Sequence, residues 1–356
     1  MTREIRRLIF IVFLGIFFIS APLIIMYALG FNFDFGEKIF VDTGGIYLKS
    51  IPSGAEIYIN DIPKGKTSDF IRRLAPQIYE VRVIKDEYHV WQKKLIVESG
   101  IVTKANNVFL VPLTPKILTV ANISEAYASF FKEPHSLNVL TNTIKEKSKY
   151  VISKISNIQI DKNSQKIYFL ANNNLYYINW NEAVPSKSIL SKILVPGVFN
   201  YAIYKNGIMY ADSVTGKIYE LDLSSLRSAE FFKQVYPSFN QCKWTFSPDF
   251  KKLLCQKEKS IEVLYLDQAN NGCEFKKGSL DKMDFEQKIL DVVWHPRTNQ
   301  HLIIATEDSI LITELDNREL RNSVKFITTE NPQIKYDENN NVLYFSSQKL
   351  LYVTEI

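Results

Sequence analysis

The sequence predicts a mainly β protein carried on one amino-terminal transmembrane helix: a small β-sandwich, then a β-propeller of five or six blades. Three observations predict it. A charge-free apolar run follows three arginines at the amino terminus. The next stretch, to about residue 112, alternates apolar and polar residues in short segments separated by Pro, Gly, Asn and Asp. From residue 113 onward a strand–turn–strand grammar recurs every forty to fifty residues or so, a period typical of propellers and arrays.

Bulk composition agrees. The chain has 356 residues, 46% hydrophobic and 23% charged, enough apolar material for a real core and enough length for more than one domain. Its 23 Phe and 19 Tyr favour strands. The net charge is +5, of which Arg3, Arg6 and Arg7 against Glu4 account for +2. Basic pairs such as Arg72-Arg73 and Lys251-Lys252 do not build a basic face, so no nucleic-acid partner is expected. Cys242, Cys255 and Cys273 are too few and too odd for a disulfide framework. Cys242 and Cys255 flank a predicted hairpin tip at Pro248-Asp249, where a cross-strand disulfide is geometrically open. Two unpaired, partly buried thiols are the favoured expectation, and the spacing fits no zinc site.

Leu8–Leu29, LIFIVFLGIFFISAPLIIMYAL, carries no charge. As a helix of about 22 residues it spans ~33 Å, enough to cross a bilayer. Pro22 is tolerated there, and Tyr27 and Phe31 stand where an interfacial aromatic belt begins. A cleaved signal peptide is the rival, but the apolar run is too long and Ala28-Leu29-Gly30 is a weak cleavage match. The expected layout is a basic cytoplasmic tail over 1–7, a transmembrane helix over 8–30, a sandwich over 45–112 and a propeller over 113–356. The arginines place the amino terminus in the cytoplasm of a single-pass plasma-membrane protein, with the later domains extracytoplasmic.

In the sandwich, Ile46–Ile51, Ala55–Asn60, Tyr79–Lys85, Trp91–Val97 and Asn107–Val111 read as strands, with turns at Pro52-Ser53-Gly54 and Asn60-Asp61. The run Ser50-Ile-Pro-Ser-Gly-Ala-Glu-Ile-Tyr-Ile-Asn-Asp, with Gly65-Lys-Thr67, Leu74–Val81, Lys85-Asp-Glu-Tyr88 and Trp91, resembles a PEGA domain. Pro52, Gly54 and Ala55 match the core for which that family is named, and Ser53 stands at the Glu position. Ser68, Gln77 and Glu87 depart from the family's Pro and two Gly. A residue other than Gly at positive φ costs about 1 kcal/mol, so each such turn either changes type or tolerates the strain. The resemblance implies an extracytoplasmic spacer or adhesion unit without catalysis.

Repeat units occupy Ser156–Trp180, Val198–Leu223, Phe239–Asp267, Ile289–Asp316 and Asn331–Ile356. Trp244-Thr-Phe-Ser-Pro-Asp and Val293-Trp-His-Pro resemble the strand–turn of WD-repeat-like and TolB-like propellers. The last unit has three strands where a blade needs four. A strand from Lys116–Ala121 or Leu137–Thr141 is expected to complete it and close the ring.

Catalytic signals are sparse. His89, His135, His295 and His301 form no metal-spaced pair, and His295, before Pro296, is expected to face a turn. No nucleophile elbow, phosphate loop or dinucleotide glycine pattern occurs. The Asn runs at 172–174 and 339–341 read as turn tips, and Asn122-Ile-Ser124 as a chance sequon. Tyr176, Tyr177, Trp180, Trp244 and Trp294 read as packing between blades rather than a ligand mouth. No catalytic, cofactor-binding or metal residue is assigned, the ligand-binding residues stay unknown, and no cofactor is expected. The expected function is a non-enzymatic, membrane-anchored envelope scaffold, its propeller binding a protein or a cell-wall glycan. The alternative is a glycan-processing hydrolase or lyase built on the propeller.

Overall fold

The computed structural model describes residues 3–28, 30–34, 39–122, 156–161, 164–179, 193–270, 274–337, 340–348 and 350–356. Two compact units emerge: the first holds Met1–Thr114 with Asn270–Cys273 and Asp316–Asn322, the second holds Pro115–Ala269, Glu274–Leu315 and Ser323–Ile356.

The first unit begins with helix α1 (Arg3–Ala28), which contains Pro22 and buries none of its residues. It is long and apolar enough to cross a membrane. A short hairpin follows, β1 (Phe31–Asp34) and β2 (Ile39–Asp42). The sandwich comprises β3 (Gly44–Ile51), β4 (Glu56–Ile59), β5 (Ile62–Lys66), β6 (Asp69–Leu74), β7 (Ile78–Ile84), β8 (Trp91–Ile96) and β9 (Val102–Phe109). One sheet runs β6-β3-β9 and the other β5-β4-β7-β8. Strict alternation in β7 and β8 turns Val81, Val83 and Leu95 inward, where they meet Ile46, Leu48 and Ile57 at 0–1% exposure.

Two of these strands, β5 and β6, escape the sequence reading. Every residue of β5 is exposed, so it has no alternation to reveal it, and β6 carries Arg72-Arg73 through its exposed part. The Asn60-Asp61 turn is as expected, with φ of 47° and 65°, the left-handed geometry of a tight hairpin. The two lost glycines resolve differently. Glu87 keeps the left-handed conformation at φ 69°, whereas Gln77 is not among the residues at positive φ. Glu87→Gly should therefore raise stability by about 1 kcal/mol, read as a higher denaturant midpoint; Gln77→Gly should not. Lys93, 1% exposed on β8, donates to the Asp316 carbonyl at 2.8 Å with the Asp316 carboxylate at 3.5 Å, so this buried ammonium is paired as burial requires.

In the second unit, β10 (Ile117–Asn122) stands apart in sequence from the sheet it joins. The sheets are β11 (Ser156–Asp161), β12 (Lys166–Ala171) and β13 (Asn174–Asn179); β14 (Val198–Tyr204), β15 (Gly207–Asp212), β16 (Ile218–Asp222) and β17 (Arg227–Glu230); β18 (Lys243–Phe246), β19 (Lys252–Gln256), β20 (Ser260–Tyr265) and, beyond the small pair β21 (Ala269–Asn270) and β22 (Glu274–Phe275), β23 (Leu280–Asp284); β24 (Ile289–Trp294), β25 (His301–Thr306), β26 (Ser309–Glu314) and β27 (Ser323–Thr328); and β28 (Ile334–Asp337), β29 (Val342–Ser347) and β30 (Leu350–Glu355). Each is an antiparallel meander, and β11, β14, β18, β24 and β28 fall where the repeat units were expected to begin. First strands of successive sheets pack together, β11 on β14, β14 on β18 and β24 on β28. This is β-propeller architecture, with five such sheets among the described residues. The expected closing strand is present: β10 pairs antiparallel with β30, Leu118 opposite Val353 and Ala121 opposite Leu351, giving the order β10-β30-β29-β28. The rival segment Leu137–Thr141 lies outside the described residues.

One expectation is overturned. Cys242 and Cys255 form a disulfide, with Cα atoms 5.4 Å apart. The register that sets Trp244 opposite Cys255 brings Cys242 beside its partner, within bridging range. With a sequence separation of 13, reduction or Cys255→Ala should cost about 3 kcal/mol, measured as a fall in denaturation midpoint under reducing conditions.

Candidate binding cleft

A cleft of about 490 Å³ opens in the second unit, a size suited to small ligands or a few sugar units. One wall comes from the turn between β25 and β26 and the end of β27: Asp308 and Ile327–Glu330. The other comes from the closing sheet: Phe345, Ser347, Gln348, Tyr352 and Ile117. Backbone bonds set the walls. The Thr329 N–H donates to the Asp308 carbonyl at 3.0 Å, and the Asn331 N–H to the Glu307 carbonyl at 2.8 Å. Phe345 and Tyr352 face each other across β29 and β30. Their rings stack at 5.1 Å with 16° between planes. Phe345 is buried beneath and Tyr352 half-exposed above.

The Asp308 carboxylate accepts from the Ser309 hydroxyl at 2.6 Å and has the Lys325 ammonium at 3.4 Å. The Ser309 hydrogen bond, with Gln287 and Lys325 adding to it, pulls its pKa down to about 2. Asp308 is therefore an anion and hydrogen-bond acceptor throughout the ordinary pH range. A general acid needs the opposite shift. The lining combines an aromatic ring surface, hydroxyls, an amide and carboxylates.

The residues singled out in the sequence lie elsewhere. Tyr176, Trp244 and Trp294 are 6–7% exposed and sit in the core. His295 follows β24 at the start of its turn. It is fully buried, its ring centroid 6.1 Å from that of His301, and its Nδ1 accepts the Arg297 N–H at 3.3 Å. Burial first, and the Arg297 charge second, push its pKa down to about 4. The turn folds inward because Lys252, 1% exposed, donates to the Asn299 carbonyl at 2.9 Å while its ammonium lies 5.9 Å from the Trp294 ring centroid. Burial likewise lowers the Lys252 pKa. His295 is a neutral imidazole buried beside His301, and both rings are closed off from solvent. His135, Trp180 and Asn339 lie outside the described residues, as do Ile123 and Ser124 of the sequon. Among the described residues no cluster of three or more His, Cys, Asp or Glu side chains is placed to hold a metal. Sequence reasoning missed the cleft. Its one local signal was the pair of aromatics Phe345 and Tyr352 flanking the last turn.

Residues 43–110 match the sequence profile of the PEGA domain. No curated protein matches the chain. Among solved structures it is similar to the extracellular domain of a hybrid two-component system from B. thetaiotaomicron, at 8% identity and a TM-score of 0.35 over 56% of this chain. It is also similar to an oligogalacturonate lyase in complex with manganese, at 14% identity and 0.37 over 53% of this chain. A third is the Cps50 (Swd1) β-propeller domain of Myceliophteria thermophila, at 9% and 0.35 over 56%. The matched parts span 27%, 58% and 65% of those chains.

Proposed function

We propose that the chain is a non-enzymatic envelope scaffold. Helix α1 remains in the plasma membrane as a single-pass anchor with its arginine-bearing end in the cytoplasm. The PEGA domain serves as an extracytoplasmic spacer, and the propeller binds a cell-wall glycan in the cleft floored by Tyr352. The observation that carries this reading is a half-exposed stacked aromatic sharing the cleft with the Asp308 carboxylate. A sugar ring presents one apolar face and an edge of hydroxyls. Tyr352 meets the first, while Asp308, Ser347 and Gln348 meet the second. A hydrolase would need a general acid with a raised pKa, and Asp308 is shifted the other way.

The test is retention of the detergent-solubilised full chain on insoluble wall polysaccharide. Tyr352→Ala should weaken binding about tenfold or more, the size of an aromatic anchor's contribution. Equal retention of wild type and variant would place recognition elsewhere, and capture of a protein in place of the polysaccharide would replace the ligand class.

A further inference from the structure

The two ends of the PEGA sandwich differ in surface chemistry. Strand directions gather the starts of β3, β5, β7 and β9 and the ends of β4, β6 and β8 at one end. That end carries Ile62, Ile78, Ile96, Ile101 and Val102, exposed by 56, 60, 60, 51 and 41%. Single exposed aliphatics are ordinary, but five gathered at one end of so small a module are a patch that calls for a partner. The opposite end shows two comparable residues, Val90 in the turn before β8 at 48% and Leu113, whose N–H donates to the Glu87 carbonyl of that turn, at 56%.

The same end is tied to the point where the chain leaves α1. The Gly30 carbonyl, two residues past Ala28, accepts the Thr43 N–H at 3.3 Å, and the Thr43 carbonyl accepts the Gly100 N–H at 3.3 Å. Gly100 neighbours Ile101. Arg72 and Arg73 are exposed near the end of β6. The Arg73 guanidinium lies 3.7 Å from the centroid of the Tyr27 ring and also donates to its hydroxyl. From Leu8 to Tyr27 a helix rises about 29 Å, close to the ~30 Å of a hydrocarbon core. Tyr27 therefore stands at headgroup depth when α1 spans the bilayer, and Arg73 with it. Three carboxylates share this end: Asp42, which accepts the Ser99 hydroxyl at 3.0 Å, exposed Glu98, and Asp61 beside Ile62, its side chain 78% exposed and paired with Arg82.

We propose that this end of the sandwich is a lipid-facing surface. Ile78, Ile96, Ile101 and Val102 enter the boundary between headgroups and acyl chains, while Arg72 and Arg73 contact phospholipid phosphates. Apolar side chains beside arginines are what binding in the plane of an interface requires. The proposal rests on α1 being retained as the anchor. Its consequence is that the module lies on the bilayer and does not stand free on a tether.

The experiment uses the full chain, with Cys273→Ser and the native disulfide intact, in nanodiscs of phosphatidylcholine and phosphatidylglycerol. Single nitroxide labels replace Phe13, Ile78, Val90 or Ile101 through cysteine. Labels at Ile78 and Ile101 should collide several-fold more with oxygen, and less with a water-soluble nickel chelate, than the label at Val90. Arg72→Glu with Arg73→Glu should move the Ile101 label back toward water, and an unchanged depth would remove the arginines from the account. Water-like values at Ile78 and Ile101, with Phe13 in hydrocarbon, would overturn the proposal and leave the anchor standing. Labels shielded from both reagents would mean protein covers the face, which also overturns it. A water-like Phe13 would defeat the anchor itself.

Discussion

A chain lacking residues 117–122 is expected to lose the cooperative unfolding of its second unit. Strand β10 is the outer strand of the sheet that holds β28–β30, and it is drawn from the start of the second unit. Removing it strips the pairing from β30 and leaves an unpaired edge. At about 1 kcal/mol per backbone hydrogen bond, the lost ladder alone amounts to about 5 kcal/mol, comparable with the whole stability of an ordinary domain. The side chains add little, since Ile117 and Leu118 are largely exposed, so the loss is one of closure and pairing rather than of core. Thr119→Pro, which removes a backbone donor from the same strand, should weaken the unit in the same direction while keeping the chain length. The measurement is calorimetry on the full chain in micelles. An unaltered transition in both variants would mean that the propeller closes by other means.

The second large effect is on acid stability. His295 has a folded pKa near 4 against an ordinary value of 6.5. Above 6.5 it is neutral in both folded and unfolded chains and pH has no hold on it. Between 6.5 and 4 the unfolded chain takes up the proton and the native one does not, so stability falls as pH falls. The full difference, reached below pH 4, is about 3 kcal/mol at 1.36 kcal/mol per unit. His295→Gln should flatten the wild-type slope between pH 6.5 and 4 relative to its own stability at pH 7. Asp308, held near 2, contributes below that window and does not blur the comparison. Identical slopes in the two proteins would show that His295 titrates alike in the native and unfolded chains.

How much of this was legible beforehand depends on whether each feature is written locally. Helix α1 follows from composition alone. The first strands of the sheets, such as β14 and β24, are apolar runs bounded by turn residues, so their starts can be read off the chain. Strand β5 left no mark because its residues are exposed and include Pro63 and Gly65. The disulfide hinged on a pairing register that spacing does not fix. His295 looked like a turn residue, which it is. Its burial is a tertiary feature, set beside His301 of the next strand. The cleft was the least legible feature: Ile117, Asp308, Glu330 and Tyr352 come from four separate stretches, and only the folded meanders bring them to one place.

The central claim is that the propeller binds a wall glycan without altering it. Titrating the full chain in micelles with size-fractionated wall glycan, and following bound fraction and polymer length in the same sample, tests both halves at once. The account predicts saturable binding, weakened by Tyr352→Ala, with polymer length unchanged after prolonged incubation. Shortening of the polymer, or no saturable binding at any fraction, would contradict it.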